Sequence, residues 1–161
     1  MTIKHLLGLA LCASLFSLLL AYTAEYGFGL NPCHLCLWQR LPYAAVVLLA
    51  LIGLSRPRVW IIVLIGLLFL TGAGIASYHT AVEKQWVNGP SGCTAAQGSA
   101  SESLNDFLQK IKQAPMVACD HPQWEWNGIT MAGMNAVWSF GLAAVTFGAL
   151  QQIRRKQIAH A

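Results

Sequence analysis

Five cysteines give this 161-residue chain its clearest capacity for chemistry. Cys33 and Cys36 form a C-x-x-C motif directly after Pro32, with His34 and Leu35 between them. Two sulfurs at this spacing reach each other within one turn of chain, which makes a small, strained and easily reduced disulfide. The motif therefore indicates a redox-active pair.

The surroundings of this motif favour a reactive thiolate. A helix that begins here places partial positive charge at its N-terminus, which lowers the pKa of a thiol. Arg40 lies one helical turn after Cys36, on the same helix face. Because an arginine at the edge of a membrane span is costly, we expect it to stabilise the Cys36 thiolate or to bind an oxygen of a lipid-soluble acceptor. The alternative is an arginine whose guanidinium extends to the membrane interface.

Cys93 and Cys119 are a second cysteine pair, 26 positions apart. With the first pair they allow two disulfides in an oxidising compartment. A purely structural disulfide between them is one alternative. A zinc site is another, with nearby histidines as further ligands: His34, His79 and His121. Structural zinc ligands usually come as two short-spaced pairs, so we expect no metal here.

The composition indicates a membrane protein. Hydrophobic residues make up 56% of the chain and charged residues 10%, and the mean hydropathy is +0.53. A soluble domain carries about 25% charged residues, so this composition excludes a disordered chain and argues against a soluble one. The basic residues are spread along the chain without a dense patch, so we expect no nucleic-acid partner.

Four apolar segments predict an all-α membrane protein, a bundle of four transmembrane helices in one domain spanning residues 1–161. Helices of about 20 residues rise about 30 Å, which matches the hydrocarbon core of a bilayer. Cys12 falls in the middle of the first segment and is expected to act as a small apolar residue. The segments cover about 6–24, 37–54, 59–78 and 131–150.

The distribution of charge predicts the orientation. Basic residues cluster on one side of the four spans: Lys4, Arg56, Arg58, Arg154, Arg155 and Lys156. All six acids fall on the other side: Glu25, Glu83, Glu102, Asp106, Asp120 and Glu125. Because basic loops stay in the cytoplasm, we predict a multi-pass protein with both termini cytoplasmic. The outer loops then cover about 25–36 and 79–128.

The long outer loop is expected to carry a short helix. Four apolar residues repeat there at helical spacing, and Pro115 closes the segment. We predict an amphipathic helix that lies on the membrane surface, the alternative being a helix that packs only on protein. The apolar residues are Leu104, Phe107, Leu108 and Ile111.

Taken together, these features resemble the bacterial disulfide bond formation protein B family, the quinone-reducing thiol oxidases of the inner membrane. The resemblance rests on the C-x-x-C and arginine at the start of the second span and on the cysteine pair in the second outer loop. It also includes His79-Thr80 at the outer end of the third span and the loop segment 119–126. The vitamin K epoxide reductase family uses similar chemistry, but its loop pair precedes its C-x-x-C.

The resemblance implies an enzyme, a protein-disulfide oxidoreductase with a quinone, ubiquinone or menaquinone, as acceptor. A reduced DsbA-like thioredoxin-fold oxidase of the periplasm would attack Cys93 of an exposed, mobile Cys93–Cys119 disulfide. Electrons would pass to a Cys33–Cys36 disulfide, and Cys36 would deliver them to the quinone of the membrane pool with help from Arg40. A paralogue serving one dedicated thioredoxin-fold partner, or a zinc-binding membrane module, is the alternative.

Three further positions belong to the same region. His79 is expected at the depth of Arg40, where it would donate to a quinone oxygen or relay a proton; an ordinary interfacial histidine is the alternative. Gln39 stands directly before the arginine, where some relatives carry an acidic residue. Trp38 would either anchor the chain at the interface or form a wall of the quinone pocket.

Overall fold

The structure, a computed structural model, describes residues 2–90, 93 and 117–159. Within these residues the chain forms four long helices and one short β-hairpin. In chain order the elements are α1 (Ile3–Tyr22), α2 (His34–Ser55), α3 (Val59–Glu83), β1 (Glu125–Trp126), β2 (Ile129–Thr130) and α4 (Met131–Ala159).

All four helices are long and apolar enough to cross a membrane. The predicted four-helix membrane fold is therefore confirmed. The helices extend beyond the apolar segments, because polar residues at their ends still favour helix. The predicted amphipathic helix near 104–111 lies outside the described residues.

The end of α1 differs from its prediction in a way that matters for the site. A π-helical turn, Thr23–Gly27, continues the helix past the apolar segment and carries Glu25. The non-helical connection to α2 is thereby reduced to about 29–33. Gly29 adopts φ +69° there, a left-handed conformation that glycine takes without steric cost.

The core of the bundle is built mainly on α3. Phe69 of α3 is buried against Tyr43 of α2, with ring centroids 6.2 Å apart. Pro42 lies inside α2 and faces Gly72 of α3, where an added Cβ would lie 3.5 Å from that of the proline. Small and large residues thus alternate across the helix contacts, which allows the helices to approach closely.

A β-hairpin leads directly into α4. Asn127 and Gly128 connect its strands with φ of 54° and 81°, the positive values of a type I′ turn. Lys84, which follows α3, donates to the carbonyl of Gly128 at 3.0 Å. The hairpin therefore connects the outer ends of α3 and α4.

Candidate redox site

The C-x-x-C motif forms the first turn of α2. Cys33 is the N-cap residue of the helix, and its sulfur accepts a hydrogen bond from the backbone N–H of Cys36 at 3.3 Å. The two sulfurs are 3.1 Å apart, beyond the ~2.05 Å of a disulfide, so both cysteines are free thiols here. Their pairing as a disulfide stays a prediction.

The environment of Cys33 favours its thiolate. A hydrogen bond from the Cys36 side chain lowers the pKa of the Cys33 thiol well below its ordinary value. A hydrogen bond from His79 lowers that pKa further, while burial of the sulfur opposes both effects. An ionised sulfur is the reactive form in thiol–disulfide exchange, so this position suits an exchanging cysteine.

His79 comes to the motif from α3. Its Nε2 lies 3.5 Å from the sulfur of Cys33, and its Nδ1 lies 2.6 Å from the side-chain nitrogen of Gln39. The ring is buried, and the Glu83 carboxylate lies 3.7 Å from Nε2, one turn further along α3. His79 is thus a buried neighbour of the dithiol, and its role stays a prediction.

Arg40 faces the end of α1. Its Nη1 donates to the Glu25 carboxylate at 2.5 Å, and its guanidinium carbon lies 4.8 Å from the ring centre of Tyr22. The sequence analysis did not identify Glu25 as the partner of this arginine. The residue directly before Arg40 is the uncharged Gln39, so the counter-charge that a partly buried arginine requires has to come from another element. This could have pointed to Glu25.

A cavity of about 470 Å³ lies beside these groups. Its walls come from all four long helices and are largely apolar, with Cys36, Arg40 and His79 at one part of the lining. Trp138 of α4 also lines it and donates to the hydroxyl of Ser17 at 3.0 Å. The volume and the few polar groups suit a flat, apolar ligand.

Trp38 does not line this cavity. Its indole nitrogen donates to the ring of His34 at 3.3 Å, and both side chains are exposed. Their place on the outside of α2 fits an interfacial position for the tryptophan.

Cys93 and Cys119 are joined by a disulfide whose Cα atoms are 5.0 Å apart. Both residues are 1% exposed, which differs from the expected exposed loop disulfide. They are buried because they pack in one hydrophobic cluster with Cys33 and with Val82 of α3. The two cysteine pairs therefore lie side by side at the outer end of the bundle.

Three ligand atoms at this site also suit a metal ion. The sulfurs of Cys33 and Cys36 and a ring nitrogen of His79 all lie within 4.8 Å of one another. Two thiolates and one imidazole form a donor set that zinc accepts, with a fourth position left for water. All three residues are among the zinc ligands considered from the sequence, and α3 brings His79 to the two cysteines.

Comparison with known proteins identifies the family. The family model described as "Disulfide bond formation protein DsbB" matches residues 3–149. The chain belongs to the DsbB family. Disulfide bond formation protein B of Xanthomonas axonopodis pv. citri (strain 306) is 30% identical over 168 residues, covering 98% of this chain and 94% of the relative. That of Shewanella frigidimarina (strain NCIMB 400) is 27% identical over 130 residues, covering 78% and 76%.

The same similarity extends to other bacteria. Uncharacterized protein RP370 of Rickettsia prowazekii (strain Madrid E) is 30% identical over 128 residues, covering 76% of this chain and 73% of the relative. No solved structure matches the chain significantly. As a DsbB family member with four spanning helices and two cysteine pairs, the protein is a multi-pass membrane thiol–disulfide oxidoreductase of disulfide bond formation.

Proposed function

We propose that this DsbB family member reoxidises a DsbA-like thioredoxin-fold oxidase in the periplasm and passes the electrons to a membrane quinone. The observation that carries the proposal is the single buried cluster that holds Cys33, Cys93 and Cys119. Exchange between two disulfides requires the sulfurs to meet, and this cluster brings both pairs to the same place. The protein would lie in the bacterial inner membrane with both termini in the cytoplasm.

The first exchange takes place at the loop pair. A thiolate of the reduced partner attacks Cys93, and the disulfide to Cys119 breaks. The second partner thiol then resolves the mixed disulfide, so the partner leaves oxidised and the loop pair becomes a dithiol. Because Cys93 is buried in the cluster, the partner must displace this segment in order to reach the sulfur.

The second exchange reduces the pair at the start of α2. The loop dithiol gives two electrons to a Cys33–Cys36 disulfide and becomes a disulfide again. A quinone held beside Cys36 and Arg40 would supply the final acceptor for the two electrons and two protons of the dithiol. The cavity beside Cys36 and Arg40 is the proposed place of this last transfer.

The order of exchange at the loop pair can be tested by trapping. In a Cys119→Ser variant Cys93 has no loop sulfur to pair with, so it should accumulate as a mixed disulfide with a DsbA-like partner that carries a single active-site cysteine. The Cys33–Cys36 disulfide of the oxidised protein takes up the two electrons and two protons that this new bond releases. A Cys93→Ser variant is the matched control and should trap nothing. Non-reducing gel electrophoresis and mass spectrometry of the linked peptides measure the result.

The opposite result would overturn the assignment. A complex that forms through Cys119 when Cys93 is absent would reverse the two roles. Trapping with one thioredoxin-fold protein and not with others would identify a paralogue with a dedicated partner.

A zinc-binding module remains the second candidate function, because the Cys33, Cys36 and His79 ligand atoms lie close together. It predicts stoichiometric zinc in the purified reduced protein and no exchange with any thioredoxin-fold partner. Metal analysis of the protein together with the trapping experiment distinguishes the two functions.

A further inference from the structure

A chain of hydrogen bonds connects His79 with the centre of the bundle. The Gln39 side-chain nitrogen lies 2.6 Å from Nδ1 of His79. The Asn135 amide donates to Oε1 of Gln39 at 2.5 Å. The Tyr43 hydroxyl donates to Oδ1 of Asn135 at 2.6 Å and lies 2.7 Å from the hydroxyl of Ser139. Three helices, α2, α3 and α4, thus contribute to one polar network.

This network is shielded from water and lipid. Gln39 is 6% exposed, His79 2% and Tyr43 4%. A buried polar group without a partner costs about 1–3 kcal/mol, so a network of this kind is stable in one arrangement of donors and acceptors. The arrangement therefore determines which ring nitrogen of His79 carries a proton.

The donors run in one direction, toward the histidine. Because Oδ1 of Asn135 accepts from Tyr43, its nitrogen faces Gln39, and Oε1 of Gln39 accepts from it. The nitrogen of Gln39 then faces Nδ1 of His79 and, as an amide N–H group, can only donate. Nδ1 is thereby an acceptor, and the proton of the neutral ring lies on Nε2.

The other side of the ring leads to the same arrangement. Nε2 faces the sulfur of Cys33 at 3.5 Å and a carboxylate oxygen of Glu83 at 3.7 Å. Both groups are acceptors in their ionised forms, so a proton on Nε2 satisfies them and a lone pair there would not. The reversed network would present that lone pair to two anions.

We propose that Gln39, Asn135 and Tyr43 are positioning residues that hold His79 as the neutral Nε2–H imidazole. His79 is then a fixed hydrogen-bond donor to the Cys33 sulfur and does not itself carry protons from the dithiol. The inference rests on the proposed function only for the redox role of Cys33.

Other ionisable groups surround this ring and enter any pH profile. Cys36 and Arg40 come from α2, with Arg40 paired to Glu25 of the π-helical turn. Glu83 comes from α3, and α4 presents the neutral amide of Asn135. From the segment after Cys119, His121 lines the same cavity. A direct measurement at the His79 ring is therefore needed, separate from activity.

Nitrogen NMR of the full chain with ¹⁵N-labelled histidine provides that measurement. The His79 resonances are assigned by their loss in His79→Gln. In the reduced protein at a fixed neutral pH we expect a proton on Nε2 and none on Nδ1. A proton on Nδ1 would overturn the proposal.

Substitutions of Gln39 test whether its N–H group fixes the tautomer of His79. Gln39→Glu replaces the donor by an acceptor of the same shape, so Nδ1 should gain a proton. Gln39→Leu removes the donor, so the fixed tautomer should be lost. The alkylation rate of Cys33 near pH 4, where its thiol is about half ionised, should then fall by up to about fivefold, the effect of one pKa unit on the thiolate fraction.

A matched control separates this effect from general damage to the fold. Thr146→Val removes a buried hydroxyl of α4 that donates to the Leu142 carbonyl, remote from the site in sequence, and should leave the His79 pattern unchanged. Unchanged His79 resonances in Gln39→Glu would refute the proposal. These measurements need neither partner nor quinone, so their failure is distinct from failure of the proposed function.

Discussion

At the scale of single residues, Arg40 is held by groups from the end of α1. Glu25 accepts from its guanidinium, and the ring of Tyr22 lies against it. Arg40 and Glu25 have side chains that are 15% and 19% exposed, so this pair is shielded more than a surface ion pair. The pair fixes the fork of the guanidinium at the cavity, where lysine would offer a point charge of different geometry.

Arg40→Lys therefore tests the cavity as the quinone site. We expect the apparent KM for quinone to rise about tenfold, which corresponds to ~1.4 kcal/mol for a lost charge-assisted hydrogen bond. Exchange at Cys93 with the soluble partner should remain near normal. Steady-state kinetics with varied quinone measures the first effect, and rapid mixing with reduced partner measures the second.

Glu25→Gln is the companion variant. Its amide keeps one acceptor but loses the charge, so its rise in KM for quinone should be smaller than that of Arg40→Lys. If both variants showed unchanged quinone kinetics, Arg40 would be an interfacial arginine without a role in the reaction.

The sequence identified the cysteines, Arg40 and His79 as the residues of interest, but not how their side chains are paired. Motif spacing places Arg40 one turn after Cys36, because both lie on one helix. The partners Glu25 and Asn135 come from other helices, and their contacts depend on how the bundle packs. Local patterns contain no such information.

At the scale of elements, the close contact of α3 and α4 depends on Gly66. A Cβ added at this glycine would lie 2.6 Å from the ring of Phe147. Gly66→Ala should therefore lower the stability of the protein in detergent by about 1–3 kcal/mol, the usual cost of overpacking a core. Thermal unfolding followed by circular dichroism measures the change.

Gly74→Ala is the matched control in the same helix. An added Cβ there meets nothing within 4 Å, and alanine favours helix over glycine, so stability should be unchanged or slightly higher. Phe147→Leu combined with Gly66→Ala should restore part of the loss. Equal effects of both alanine substitutions would contradict this account of the contact.

The sequence predicted that the four helices exist, but it predicted their first and last residues less well. Apolar segments of membrane length are a strong signal, and all four became helices. The π-helical turn carrying Glu25 and the first turn of α2 extend beyond the apolar segments, since helix continues where polar residues find partners. The β-hairpin was not predicted, although the Asn127-Gly128 dipeptide is typical of a hairpin turn.

At the scale of the whole molecule, exchange with a periplasmic partner requires the cluster that holds Cys33, Cys93 and Cys119 to face the periplasm. The separation of basic from acidic residues supports this orientation. A reporter enzyme fused after Ala161 should therefore show cytoplasmic activity in cells. A membrane-impermeant thiol reagent should label Cys93 after reduction, and a periplasmic reporter signal at the C-terminus would contradict the topology.

Anaerobic mixing of the purified protein with reduced DsbA-like partner and quinone directly tests whether electrons pass from the partner to the quinone. We predict that quinone absorbance falls by one equivalent for each partner disulfide formed. In Cys33→Ser this loss should disappear, whereas Cys12→Ser should behave as the unaltered protein. Repeated oxidation of the partner without any change in quinone absorbance would contradict the proposal that quinone is the electron acceptor.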